Sequence, residues 1–411
     1  MGRGNAVRGA VRLGRGNAVR EALSGWDGKG CVMRALLEIN NLSVSFPGPA
    51  GLARAVRDIS LQVGQGECVA LVGESGCGKT VTAQTIMGLL EDQSFIINSA
   101  EAIIFNGQPI YEYSSKQWRQ FRGKEAAIVF QEPMAALDPT MRIGGQIAEA
   151  ITCHRRGFPW LGKKAAYRSV SRLLADVGIP DPEIRARQYP HEFSGGMRQR
   201  AVIAAAIAGD PALLIADEPT TSLDVMTQNQ ILELLNTLRR ERRMALLLIS
   251  HDLGVVAGAA ERVIVMYGGK IVESGKVADI FYAPAHPYTK GLLRAGQQKN
   301  DGSKRLFTIE GMPPSPLAPP VGCPFAPRCR EAMSICGRTP PPEVTLVQGH
   351  SASCWFCRPN RPEAAERERE REAEREREAE TGKQAATERE RETERERETE
   401  RERELEKGTE K

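Results

Sequence analysis

The chain has 411 residues, 41% apolar and 26% charged, enough for a packed core and for two to three domains at ~150 residues each. Aromatics make up only 5%, which argues against a stacking surface for single-stranded nucleic acid. The net charge of +4 is segregated: residues 1–32 carry +4, residues 33–360 carry +5 and residues 361–411 carry −5. The middle is too mildly basic for a dedicated DNA-binding protein.

Residues 1–32 contain an identical repeat, Gly2 to Arg8 and Gly14 to Arg20, with no apolar face to bury. They read as a disordered, dispensable extension and not as a nucleic-acid arm. From Leu36 the pattern alternates strand and helix. Apolar strands are predicted at Leu36–Phe46, Cys68–Val72, Ala126–Phe130, Leu213–Ala216, Ala245–Ile249 and Val263–Tyr267, with helices at Thr80–Leu90, Met197–Ala208 and Gln228–Glu241. Short, continuous apolar strands separated by helices predict an α/β fold whose mostly parallel sheet is covered on both faces. Pro and Cys dominate from Ala283 onward, where regular structure is expected to fade into a small C-terminal module. The last segment, 361–411, is Glu/Arg alternation that can bury nothing and reads as a solvated tail. The division is therefore 1–32, 33–282, 283–360 and 361–411.

No stretch of ~18 apolar residues is uninterrupted, so no membrane span is expected. The best candidate, from Ala201 to Ala216, is broken by Asp210 and Pro211. The N-terminus has no apolar secretory segment. Five of the nine cysteines fall between Cys323 and Cys357, which in a long chain without a leader reads as metal chemistry in a reducing, cytoplasmic compartment.

Three motifs carry chemistry. After the strand Cys68–Val72 come Gly73, Glu74, Ser75, Gly76, Cys77, Gly78, Lys79 and Thr80, then a helix. This is a phosphate-binding loop in its proper strand–loop–helix setting. Its glycines let backbone N–H groups curl around phosphates, and the helix N-terminus adds partial positive charge. Lys79 would reach the β and γ phosphates, and the Thr80 hydroxyl would meet Mg²⁺. Second, the apolar strand from Leu213 ends in Asp217 and Glu218, two carboxylates that are costly there unless a cation or a reacting water is present. Asp217 is assigned to the Mg²⁺ shell and Glu218 to the attacking water. Third, Ser194-Gly195-Gly196 opens a helix just upstream of that strand.

With these motifs in this order the chain resembles the ATPase cassettes of ABC proteins, over residues 34–357. The resemblance implies a P-loop cassette: a RecA-like core with a parallel sheet, plus a helical subdomain over about 132–200. It makes Gln131 the glutamine-loop residue sensing Mg²⁺ and water, and Asp224 part of the Ser222-Leu223-Asp224 segment that communicates between two sites. His251 becomes the switch histidine contacting the γ-phosphate. Phe46 is the candidate for stacking on adenine, with a core role as its alternative. Ser194, Gly195 and Gly196 would offer donors to a nucleotide held by a second cassette.

The short segment 132–193, the single cassette and the lack of a fused membrane domain narrow the resemblance to detached importer ATPases. Phrases such as His191 to Arg200, His286-Pro-Tyr-Thr-Lys290 and Gly322 to Cys329 are similar to the oligopeptide/dipeptide/nickel group. The implied partners are a second ATPase subunit (paralogue or self), two permeases and an extracytoplasmic peptide-binding protein, with no direct nucleic acid. The implied place is the cytoplasmic face of the inner membrane. A nickel or other small-solute importer is the alternative within the group, and a soluble ABC ATPase acting on nucleic acid or ribosomes the alternative outside it.

Cys323, Cys329, Cys336 and Cys354 have the spacing C-x5-C-x6-C-x17-C. Four thiolates can hold Zn²⁺ or an iron–sulfur cluster. The resemblance implies a structural [4Fe–4S] cluster, zinc being the alternative. Cys357 is either a substitute for Cys354 or spare.

Overall fold

The computed structural model describes residues 35–90, 95–99, 101–154, 163–221, 223–297 and 308–357. The extensions 1–32 and 361–411, and Ser222, lie outside the described residues.

A hairpin of β1 (Ala35–Gly48) and β2 (Gly51–Gly64) is paired from Ala35↔Gly64 to Gly48↔Gly51, with register shifts between Ala35 and Ser45. The sequence pattern assigns no element between Phe46 and Cys68; the second strand is nevertheless legible in Ile59-Ser60-Leu61-Gln62-Val63, where apolar residues are buried and polar ones exposed. β3 (Cys68–Val72) then leads through the glycine-rich loop to α1 (Lys79–Ile86). α1 ends earlier than predicted because Gly88 turns into the left-handed region at φ 58°. The short strands β4 (Ile96–Ile97), β5 (Ile103–Phe105) and β6 (Gln108–Pro109) complete an antiparallel sheet of order β2-β1-β5-β6, with β4 on β1.

Next come α2 (Ser115–Lys124) and β7 (Ala126–Val129), then α3 (Pro133–Ala136), α4 (Ile143–His154), α5 (Lys163–Asp176), α6 (Pro182–Arg185) and α7 (Gly195–Ala206). The second half runs β8 (Leu213–Asp217), α8 (Val225–Arg242), β9 (Ala245–Ser250), α9 (Leu253–Val256), β10 (Arg262–Tyr267) and β11 (Lys270–Lys276). It closes with α10 (Val277–Tyr282), α11 (Pro287–Gln297), α12 (Ser334–Arg338), β12 (Glu343–Val347) and β13 (His350–Ser353).

The main sheet has the order β12-β13-β11-β10-β3-β9-β8-β7, parallel from β10 to β7. Its central strands are apolar along almost their whole length because both faces are buried, with Asp217, Ser250 and Arg262 standing only at strand ends. Cys68, Ala70 and Val72 of β3 face one apolar cluster, shared with α4, α5, α7 and α8. Val69 and Leu71 face a second, shared with α1 and the antiparallel sheet.

Regular structure does not fade past Ala283, in contrast to the reading from Pro and Cys content. β13 pairs with β11 at Glu273↔Ala352 and Ser274↔Ser351, extending the main sheet. Glu273, 1% exposed, accepts the N–H groups of Ala285 (2.7 Å) and His286 (2.9 Å) and faces His350 Nε2 at 2.9 Å. Cys323, Phe325, Met333 and Cys336 pack into the same apolar cluster as β3 and β10, so the segment is built onto the core.

Candidate active site

The site lies at the carboxyl ends of four neighbouring parallel strands, the crevice where open α/β sheets bind ligands. β3 leads into the glycine-rich loop, β7 into Gln131, β8 into Asp217 and Glu218, and β9 into His251. Two glycines of the loop are obligatory. A Cβ at Gly73 would stand 2.1 Å from the Met266 carbonyl oxygen, and Gly78 combines φ 105° with only 2.6 Å to the Ala55 oxygen. Gly76 also has positive φ, but a Cβ there meets nothing within 4 Å. Ser75 is exposed, while Cys77 is buried and its thiol is pushed up by that burial.

Lys79, 4% exposed, donates from Nζ to the carbonyls of Gly73 (2.8 Å) and Glu74 (3.0 Å). It stands 4.0 Å from Glu218 Oε1. The Thr80 hydroxyl donates to Asp217 Oδ1 at 3.3 Å. Burial pushes the Asp217 carboxyl above the usual range, against the smaller opposing pull of the Thr80 hydrogen bond. Asp217 and Thr80 thus form a hydroxyl–carboxylate pair fit for a hard divalent cation.

Glu218 is the hub. Its Oε2 accepts from Gln131 Nε2 (3.1 Å) and the Thr221 hydroxyl (3.0 Å) and lies 3.2 Å from His251 Nδ1. Its backbone sits at φ 47°, with its N–H donating to the Ile249 carbonyl at 3.0 Å. A glutamate in the left-handed region is a strained choice that aims the carboxylate into the crevice. Gln131, Asp217, Glu218, His251, Lys79 and Thr80, far apart in sequence, therefore meet here. Thr221 belongs with them although no motif marked it; it stands three residues beyond Glu218, close enough to turn back on the carboxylate.

The remaining candidates lie apart. Ser194 caps α7, its hydroxyl accepting from the Met197 N–H at 3.3 Å. Gly195 and Gly196 abut Leu223 and Thr227, so a Cβ at Gly196 would stand 2.8 Å from Thr227 Cγ2. Asp224 caps α8, accepting from the Thr227 N–H (2.9 Å) and hydroxyl (2.7 Å), which hold its carboxyl below the usual range. Phe46 is half-buried in β1 against the antiparallel sheet's apolar cluster.

Glu74 turns away from the crevice. Its N–H donates to the Tyr288 hydroxyl at 2.9 Å, and its carboxylate takes Arg328 Nη1 at 2.7 Å. Tyr288 and Arg328 sit inside the two C-terminal phrases, to which the sequence attached no role in the nucleotide loop.

Cys323, Cys329, Cys336 and Cys354 line one cavity with Phe325 and Met333, of about 20 Å³, room for about one water. Burial pushes the Cys323 and Cys329 thiols up to about 11. The adjacent Cys357 thiol holds the Cys354 thiol below its usual range. Among the described residues, no three His, Cys, Asp or Glu side chains are grouped so as to hold a metal ion. The donor set itself, four soft sulfurs in apolar surroundings, suits iron–sulfur or zinc chemistry.

A family model for ABC transporters matches residues 56–221, and one for the oligopeptide/dipeptide transporter C-terminal region matches residues 272–336. The dipeptide transport ATP-binding protein DppD of Bacillus subtilis is 47% identical over 324 residues, which cover 79% of this chain and 95% of that protein. The oligopeptide transport ATP-binding protein OppD of Salmonella typhimurium is 46% identical over 320 residues, covering 78% and 93%. In three dimensions the chain is similar to the ATP-binding cassette MJ0796, solved as a dimer in a post-hydrolysis state with ADP and Pi. The TM-score is 0.53 at 23% identity, covering 59% of this chain and 98% of that one. The cbiO1 protein of Clostridium perfringens, part of an ABC transporter complex, gives a TM-score of 0.52 at 25% identity, covering 61% and 91%.

Proposed function

The chain belongs to the ATP-binding subunits of oligopeptide/dipeptide ABC transporters, and from that membership we propose that it hydrolyses MgATP to power import of oligopeptides or dipeptides through partner permeases. The observation that carries the hydrolytic part is the convergence of Gln131, Thr221, His251 and Lys79 on the Glu218 carboxylate.

Glu218 would take the proton of the attacking water, with Gln131 and Thr221 orienting its Oε2. Lys79, Thr80 and Asp217 fit the phosphates and Mg²⁺; the metal, when bound, would neutralise charge developing on the transferred phosphoryl group. His251 would sense the γ-phosphate from the end of β9. Ser194, Gly195 and Gly196, lying apart from this crevice, would complete the site of a second ATPase subunit, paralogue or self. Phe46 would stack on adenine, and Asp224 would link the two sites.

Cys323, Cys329, Cys336 and Cys354 would hold a structural [4Fe–4S] cluster, a reading that rests on the resemblance together with the four-sulfur donor set. Zinc is the alternative. Among the described residues no helix is long and apolar enough to cross a membrane, which accords with a peripheral place on the cytoplasmic face of the inner membrane.

The test is uptake by vesicles carrying the chain with its second ATPase subunit, two permeases and peptide receptor. ATP-dependent peptide accumulation supports the reading. Uptake of nickel in place of peptide would move the chain to the alternative within the group, and co-purification with ribosomes or RNA in place of two multi-spanning proteins would overturn it.

A further inference from the structure

We infer that Arg328 is a positioning residue for the phosphate-binding loop: through Glu74 it ties the cysteine-bearing C-terminal segment to the nucleotide site and sets that site's affinity. The inference rests on the proposed binding of ATP by this loop.

Each nitrogen of the Arg328 guanidinium donates a hydrogen bond. Nη1 donates to Glu74 Oε2 (2.7 Å) and to the Tyr267 hydroxyl (3.1 Å), Nη2 to the Ile309 carbonyl (2.8 Å) and Nε to the Glu310 carbonyl (3.0 Å). The group also stands 5.7 Å from the centre of the Tyr267 ring, at the end of β10. With its side chain 6% exposed, it is shielded from the solvent that weakens surface ion pairs. A planar fork with donors on three sides can join three pieces of chain in one geometry, which a lysine cannot.

Glu74 is gripped just as fully. Tyr288 OH accepts its N–H, Lys79 Nζ donates to its carbonyl, and Arg328 holds its carboxylate. Tyr267 and Tyr288 are themselves packed, ring centres 4.5 Å apart, with Phe325 against both. The first residue after Gly73 is therefore fixed from the C-terminal side, 254 positions away in sequence. Lys79 shares that anchor, since it bonds to the carbonyl of the same glutamate. Freeing the Glu74 carboxylate would let the outer limb of the loop and the lysine head move together. A loop ordered in advance spares the cost of ordering it on binding. By linkage, nucleotide on the loop would steady the segment around residues 323–336 in return.

The experiment uses the full-length chain in its assembled transporter. It compares wild type, Arg328→Met, Arg328→Lys, Glu74→Gln, the double variant Glu74→Gln/Arg328→Met and Lys79→Ala, reading nucleotide affinity, KM for ATP and kcat. Arg328→Met and Glu74→Gln each weaken MgATP binding ~10-fold, the equivalent of about 1.4 kcal/mol. KM rises in parallel, and in Arg328→Met kcat stays within about threefold, because Arg328 does not reach the reacting atoms. The double variant is no worse than the poorer single one, the non-additivity expected of directly contacting residues. Arg328→Lys recovers only part of the affinity. Glu74→Gln, nearly isosteric, keeps the test open if Arg328→Met fails to fold. Wild-type affinity in both single variants, or additive losses in the double, would overturn the inference while loss of binding by Lys79→Ala leaves the ATP reading standing. Retained binding by Lys79→Ala would overturn both.

Discussion

Glu218 Oε2 and His251 Nδ1 lie 3.2 Å apart, at the ends of the adjacent parallel strands β8 and β9. Asp217 pairs with Ile249 in that ladder, so the residues just past the two strands are brought to the same level of the crevice. The separation is fixed by the sheet. Glu218→Gln keeps the shape and the amide can still bond, but it cannot accept a proton. Hydrolysis in the assembled transporter falls ~10²-fold or more while ATP binding persists. Lys79→Ala instead loses binding. Normal turnover in the Glu218 variant removes that residue from the chemistry.

Asp217 gives a pH dependence with a definite sign. Its carboxyl is raised above 3.8 by burial. It therefore favours the folded state fully only below that ordinary value, and the contribution is lost as pH climbs through the raised one. At neutral pH the buried charge opposes folding. Asp217→Asn raises the Tm of nucleotide-free protein at neutral pH by ~2–4 °C, roughly the effect of 1 kcal/mol in a domain of this size. The gain shrinks as pH approaches 4. MgATP raises the Tm of the wild type more than that of the variant, since ligand stabilisation follows affinity. Melting curves across pH, with and without MgATP, check all three.

The two positive-φ glycines of the loop separate strain from space. Gly78→Ala meets both the left-handed backbone and the Ala55 carbonyl, whereas Gly76→Ala meets the backbone alone. Strain of this kind costs ~1–3 kcal/mol per residue. Denaturant unfolding places Gly76→Ala within that range and Gly78→Ala beyond it, with nucleotide binding lost in the latter. Equal losses in the two variants would show that the clash is relieved elsewhere.

The cysteine cavity makes a prediction about composition. Anaerobically purified protein is brown and carries about four irons per chain when the site is full. Cys323→Ser or Cys336→Ser removes iron and colour together, while Cys357→Ser, outside the four-cysteine spacing, retains them. Stoichiometric zinc without iron rejects the cluster and leaves the ATPase assignment in place.

Residues whose role depends on a strand end are legible in the sequence. Continuous apolar strands announce a buried parallel sheet, and the carboxylates that end one of them single out Asp217 and Glu218; Gln131 and His251 are marked only by the resemblance, and the structure places them at the ends of the neighbouring strands β7 and β9. β2 escapes the pattern even though its alternation is regular, because two arginines and an aspartate interrupt its apolar appearance. Arg328 and Tyr288 are not legible as loop contacts, since their partner lies 254 and 214 residues away and no periodicity spans such a distance. Nor can composition show that the Pro/Cys segment shares the main core. Cys323 and Phe325 look isolated in sequence and become core residues only when the chain returns over β10.

The pairing of β13 with β11 has a consequence for how the protein is made. Until residues 343–353 leave the ribosome, the outer rim of β11 presents bare amide and carbonyl groups, a template for another chain. A product truncated before Glu343 would keep that rim uncovered and would aggregate edge to edge even with an intact nucleotide crevice. Once the hairpin closes, the rim passes to β12, a five-residue strand that is mostly exposed and starts at Glu343. Pro340, Pro341 and Pro342 stand directly before it and offer no N–H to a further strand. A hairpin made late in synthesis is thus the piece that closes the sheet at this edge.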